Sequence, residues 1–152
     1  MARADLIRFV TFSLDEVTYG VEVRHLQEVL TGHDISPVPL ADPAIMGLMN
    51  LRGQVVTALD LRKVLHHQAR TQLTEESLHV VVEHSEGLLS ILVDAYGNYV
   101  ERPAAFFKPP PSLMSPSLSS HLSGVCELED RRIVMMLDVE SFLSPSSDEL
   151  EP

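Results

Sequence analysis

Seven histidines and one cysteine are the residues of this 152-residue chain best suited to metal binding or nucleophilic chemistry, and their spacing argues against both. His66 and His67 are adjacent, so on a helix they point about 100° apart and on a strand to opposite faces. No two histidines stand three or four residues apart and no His-Glu-x-x-His occurs, so no helical face gathers ligands. His25, His33, His79, His84 and His121 are scattered singly and read as ordinary surface or half-buried residues. Cys126 stands alone, which forbids an intrachain disulfide or a Cys-based zinc site and fits a reducing compartment. It alternates with Val125 in an expected strand and reads as a small core residue. A hydrolase nucleophile needs a strained Gly-x-Ser-x-Gly elbow, but the serines cluster in 112–123 and 144–147 instead. The seven glycines stand apart, so no phosphate loop forms. No catalytic residue, metal site or cofactor is expected.

What remains is binding, and two charged residues carry that reading. Arg52 is a lone cation at an Arg-Gly turn, next to the interleaved Ile45, Leu48, Asn50 and Leu51. Its planar guanidinium either recognises a polar partner or braces the turn through an internal carboxylate or carbonyl. Glu28 lies beside Val29 and Leu30, on what reads as the exposed side of a short helical segment. Overall charge narrows the partners. Lys+Arg is 11 and Asp+Glu is 22, a formal net charge of −11 that repels polyanions, so nucleic acid is not expected. The aliphatic run Ile133–Leu137 falls far short of the ~20 residues a spanning helix needs, and Met1–Asp5 opens no signal core. A cytoplasmic location without membrane insertion is expected.

The elements that must position these residues are mostly strands. Val10, Phe12 and Leu14 alternate with Phe9, Thr11 and Ser13, and Thr18–Val23 returns as the second arm of a hairpin. Val23, Leu26 and Leu30 recur at helical spacing, which predicts one or two helical turns. Residues 31–43 read as loop, and Asp42-Pro43 predicts a very short helix that Gly47 ends. Strands are expected at Leu48–Leu51 and Gln54–Leu59, with Asp60 capping a helix from Leu61 to Leu65. Residues 66–76 read as a surface connector. Leu78–Glu83 and Leu88–Asp94 form the next hairpin, Tyr99–Glu101 a short strand, and Pro103–Pro116, with five prolines, an extended surface segment. Leu122–Leu128 and Arg132–Leu137 make a last hairpin, Asp138 caps a short helix to Leu143, and 144–152 is an acidic, frayed tail.

The two halves repeat. Leu59-Asp60 falls on Leu137-Asp138, Val56 on Val134 and Leu65 on Leu143, an offset of about 78, and the early hairpins match loosely, with Val23 near Val93. Two copies of one small β-barrel, each closed by a helical turn, account for this and leave few strand edges exposed.

At these residues the chain resembles the CheW family of chemosensory adaptors over about 6–143. The matching pieces are Phe12-Ser13-Leu14, Tyr19-Gly20-Val21-Glu22-Val23, Gln27-Glu28-Val29 and Pro37-Val38-Pro39. They continue with Gly47-Leu48-Met49-Asn50-Leu51-Arg52-Gly53, Val55 through Asp60-Leu61-Arg62, Leu92-Val93-Asp94, Gly124-Val125 and Leu137-Asp138. The resemblance implies a mainly β fold of two SH3-like five-stranded β-barrel subdomains with short helices. They form a single domain with lobes of about 15–76 and 77–143, the first strand exchanged between them. It implies no catalysis. The partners it implies are a methyl-accepting chemoreceptor tip, whose helix lies in an apolar groove between the barrels, and a CheA-type histidine kinase. Self-association in array rings is implied as well.

Residues matching the family's receptor-binding positions are Leu26, Glu28, Gly47, Arg52, Leu78, His79, Ser90 and Tyr96. Those matching kinase-binding positions are Lys108, Ser112 and Leu113. Ser90 stands where the family often has glycine, and His79 and Tyr96 where it often has small or aliphatic residues. Leu113 replaces an aromatic, and the run Pro109-Pro110-Pro111 is longer than usual. A free-standing adaptor at receptor arrays is expected. The rival readings are the same scaffold in a non-motility chemosensory pathway and a small barrel enzyme or ligand binder.

Overall fold

Alternating side chains make Leu6–Leu14 the first strand, β1, and the chain returns as β2 (Val17–Glu22) through Asp15 and Glu16, whose φ values are 47° and 68°. Two consecutive positive φ angles give the turn whose twist matches that of its flanking strands. The same device at Arg52 and Gly53 (φ 51° and 85°) joins β4 (Ile45–Leu51) to β5 (Gln54–Asp60). The other strands are β3 (Leu26–Thr31), β6 (Leu78–His84), β7 (Gly87–Val93), β8 (Ala95–Pro103), β9 (Phe107–Lys108), β10 (Leu122–Glu127) and β11 (Ile133–Leu137). Two short helices, α1 (Leu61–Val64) and α2 (Pro116–Ser119), and three single 3-10 turns complete the elements. The computed structural model describes residues 5–32, 34–65, 74 and 76–142. Most of the expected connector 66–76 and the whole tail 144–152 lie outside the described residues.

Three expectations need correction. Val23–His25 is a single 3-10 turn, and Leu26–Thr31 is a strand, not a helix. Its helical spacing has a physical origin: β3 carries a bulge between Leu26 and Glu28, and Val29 and Leu30 pack into two different cores on its two faces. Asp42 does cap, its Oδ1 accepting from the Ala44 amide at 2.8 Å, but the chain turns straight into β4 and no helix forms. A cap alone does not overcome the cost of nucleating a helix. The proline-rich segment is not simply extended. It holds the 3-10 turn Ala104–Phe106, strand β9 paired to β10, and α2, which starts at Pro116 behind the Ser115 cap.

Strand order shows how the repeat is built. One sheet runs β8-β1-β2-β11-β10-β9 and the other β3-β6-β7-β5-β4. Replacing β6, β7, β3, β5 and β4 by β1, β2, β8, β11 and β10 converts the second order into the first, apart from the two-residue edge strand β9, which has no counterpart. Each sheet is therefore composite, with the leading hairpin of one copy completed by the later strands of the other. Both have one parallel pair at the centre, β2 with β11 and β7 with β5. Both closing hairpins carry a bulge next to a glycine, Gly47 in β4 and Gly124 in β10. The capping aspartates also correspond: Asp60 accepts from the Arg62 amide and Asp138 from the Glu140 amide, each at 3.1 Å. The expected mainly β architecture of two SH3-like lobes with short helices is what the chain adopts.

Burial follows the same plan. Phe12, Leu14, Tyr19, Val21, Leu59, Leu61, Val80, Ile91, Leu137 and Phe142 belong to one large core between the sheets. Each lobe also has its own interior, one around Met49, Val56 and Leu92, the other around Phe9, Cys126 and Val134. Burial, reinforced by Asp15, pushes the Tyr19 phenol from its ordinary value up to about 12. The unfolded chain ionises this group near pH 10, so its contribution to stability is complete below that pH and is lost as pH rises toward 12. Thermal unfolding followed from pH 9 to 12 is expected to show an alkaline loss of stability that is smaller in Tyr19→Phe.

One buried cation fastens the sheets together. Arg62 of α1 reaches Asp15 Oδ2 at 2.5 Å and both Asp94 oxygens at 2.7 and 2.6 Å. Asp94 also accepts from the Asp15 amide at 2.9 Å. Asp15 lies in the β1–β2 turn of one sheet, while α1 follows β5 of the other.

Candidate functional site

The β3-β6-β7-β5-β4 sheet curls until its outer strands approach each other. Ser36, between them in sequence, pairs with Leu48 of β4 through two backbone hydrogen bonds of 2.8 Å. This close passage is possible because residue 47 is glycine. Its φ is +149°, and a Cβ there would sit 2.7 Å from Ile35 Cγ2 and 2.8 Å from the Ser36 carbonyl carbon. At the rim, Arg52 reaches Glu28 of β3 in a two-point ion pair, so the two charged residues singled out from sequence are each other's partners. The Glu28 hydrogen bond, and then its charge, hold the Arg52 pKa above its ordinary value. Asn50 fixes the turn by accepting from the Gly53 amide at 2.8 Å. Arg52 stays 66% exposed while so held, which leaves a guanidinium oriented toward solvent. Leu48 and Val55 are exposed on the adjoining hairpin.

The remaining expected receptor positions divide by burial. Leu26 and Leu78 are half-buried against the inter-sheet core. Tyr96 is exposed and is the repeat counterpart of Leu26, since Tyr96 pairs with Phe12 as Leu26 pairs with Val82. His79 and Ser90 are fully buried, with His79 Nδ1 2.8 Å from Ser90 Oγ. Neither side chain presents a surface to a partner, so any influence they have runs through the shape of the lobe. Their counterparts in the other lobe are Phe9 and Gly20, where a Cβ on Gly20 would lie 3.2 Å from Phe9 Cδ2 and 2.9 Å from Met136 Sδ. Ser90 and His79 therefore form one hydrogen-bonded substitution for a ring packed on a glycine. The expected kinase positions lie on the other lobe: Lys108 on β9, with Ser112 and Leu113 exposed in the turn that follows.

Sequence reasoning missed the Arg62–Asp15–Asp94 cluster and the role of Gly124. The second was available from the repeat, since Gly124 lies opposite Met136 as Gly47 lies opposite Ala58. A Cβ on Gly124 would come within 2.5 Å of the Lys108 carbonyl oxygen. Among the described residues no three His, Cys, Asp or Glu side chains converge as a metal site, and no helix is long and apolar enough to cross a membrane.

Comparison with known proteins bears on this geometry directly. Residues 8–146 match the family model described as CheW-like domain. The chain belongs to that family. This CheW-like domain is 26% identical over 136 residues to the chemotaxis protein CheW of Klebsiella aerogenes, covering 90% of this chain and 81% of that protein. It is 24% identical over 140 residues to the chemotaxis protein CheW of Treponema pallidum, covering 90% and 82%. The crystal structure of the scaffolding protein TtCheW from Thermoanaerobacter tengcongensis shares its fold, with a TM-score of 0.83 at 23% identity over 92% of this chain and 94% of that one. The family is one of non-enzymatic adaptors.

Proposed function

We propose that this CheW-like domain is a cytoplasmic chemotaxis adaptor that couples the tips of methyl-accepting chemoreceptors to a CheA-type histidine kinase. The observation that carries this reading is the Arg52–Glu28 pair, which holds an exposed guanidinium at the rim of one lobe beside apolar Leu48 and Val55. An apolar surface with an oriented charge suits the side of an amphipathic helix. Leu26, Leu78 and Tyr96 extend the receptor surface, while Lys108, Ser112 and Leu113 of the other lobe face the kinase. Separate faces on one rigid body let weak contacts reinforce each other through effective concentration, and the same faces support ring self-association. Homologues named as chemotaxis proteins over nearly the whole chain support the pathway.

Kinase control in a reconstituted receptor–kinase assay tests the reading. Arg52→Ala and Glu28→Arg are each expected to weaken coupling about tenfold while leaving the thermal midpoint near that of the parent. Reversing the pair, Glu28→Arg with Arg52→Glu, restores the internal contact but not coupling, because the partner reads the arginine. Unchanged coupling in both single variants would remove these residues from the interface, and full restoration by the reversal would reduce Arg52 to a brace.

A further inference from the structure

A second arginine, Arg102 near the end of β8, is held differently from Arg52. It is only 8% exposed, and its Cζ lies 3.7 Å from the centroid of the Phe106 ring. Nε donates to the Glu127 carbonyl oxygen at 3.0 Å. Among the described residues no carboxylate lies within hydrogen-bond distance of its other nitrogens. The nearest, Glu129 Oε1, is 3.9 Å from Nη1 and belongs to a side chain that is 89% exposed. Burying a guanidinium is costly unless its charge is met by a well-placed acceptor.

Two further observations bear on what would meet this charge more closely than Glu129 does. The residue lines an open cleft of about 380 Å³ whose other acids are committed elsewhere. Glu101 accepts from Arg8 Nε at 2.8 Å and from the Tyr99 hydroxyl at 2.9 Å, and Asp130 accepts from Arg132 Nε at 2.7 Å. The other lobe shows the completed form. There a turn arginine, Arg52, is met in two-point contact by a carboxylate from the outer strand, Glu28. In this lobe the acid, Glu129, is on the corresponding turn and the arginine is further along the outer strand, and the two approach only to 3.9 Å.

We propose that the Arg102 cleft is a carboxylate-binding site, taking a carboxylate on a short apolar stem. The guanidinium fork receives the two oxygens, and Val100, Leu128 and the Tyr99 ring form the wall for the stem. Glu129 is the resident competitor. The inference does not depend on the adaptor reading above.

The test is a titration of the full, isotope-labelled chain at low chloride, followed by backbone amide shifts. The probes are sodium benzoate, the capped dipeptide acetyl-Leu-Glu-amide, and benzamide as a neutral match for benzoate. Saturable shifts at Tyr99–Arg102 and Leu128–Asp130 are expected with the acids and none with benzamide. Binding by benzoate alone identifies a free small acid as the occupant, and binding by the capped glutamate as well identifies an acidic side chain of another protein. Arg102→Gln is expected to abolish the shifts. Glu129→Gln, on an exposed turn that leaves the fold intact, is expected to tighten binding severalfold by removing the competitor. Failure of both acids to bind, equal shifts with benzamide, or an unchanged affinity in Glu129→Gln would each overturn the proposal.

Discussion

Gly47→Ala is expected to lower the thermal unfolding midpoint by about 10 °C, which corresponds to roughly 3–4 kcal/mol for a chain of this size. Two costs combine. The φ of +149° is one that side-chain-bearing residues rarely adopt, and the new Cβ would lie 2.7 Å from Ile35 Cγ2 and 2.8 Å from the Ser36 carbonyl carbon. Backbone cannot swing aside as a flexible side chain does. Gly53→Ala separates the two terms, because its φ is +85° but nothing lies within 4 Å of a Cβ there. That variant is expected to lose only about 1 kcal/mol. Similar losses in the two, measured by calorimetry, would show that the close passage of Ser36 is not what requires glycine.

Arg62→Met is expected to cost about 2 kcal/mol in urea unfolding. That is below the 3–5 kcal/mol typical of breaking a fully buried pair, because Asp15 and Asp94 remain partly wet. The methionine preserves much of the volume, so the loss reports the charge. Adding Asp15→Asn and Asp94→Asn to Arg62→Met is expected to cost much less than the sum of the separate changes, since the carboxylates then have no cation to meet and an amide oxygen at position 94 still accepts from the Asp15 N–H. Strict additivity across the set would mean that the three residues do not act as a unit.

Much of this was legible in the chain, and the reasons differ by element. β5 with α1 and β11 with its 3-10 turn were readable because each ends in an aspartate whose side chain caps the next turn, and the duplication displays that signal twice. The β6–β7 hairpin was readable because its turn is short and its strands are strongly apolar. β3 was not, since a bulge and a core on each face remove the alternation that identifies a strand. The Arg52–Glu28 pair was only half legible: composition marked both residues, but their contact depends on the curl of a sheet whose outer strands lie far apart in hydrogen-bonding order. Arg62, Asp15 and Asp94 meet from three separate stretches of chain, and no local pattern announces that. Which copy's hairpin completes which sheet is likewise absent from periodicity, because both hairpins carry the same alternation.

The composite sheets bear on synthesis. When a ribosome has made β1 and β2, their neighbours β8 and β11 are still untranslated, and β11 ends only at Leu137. The nascent hairpin waits for β8, complete at Pro103, on one side and for β11, complete at Leu137, on the other. Closure of that sheet is therefore a late event dominated by distant contacts, which is intrinsically slow and leaves sticky strands exposed meanwhile. A product ended before β11 leaves β2 without its parallel neighbour and β10 without its hairpin partner in one sheet, whereas every strand of β3-β6-β7-β5-β4 is already made at Val93.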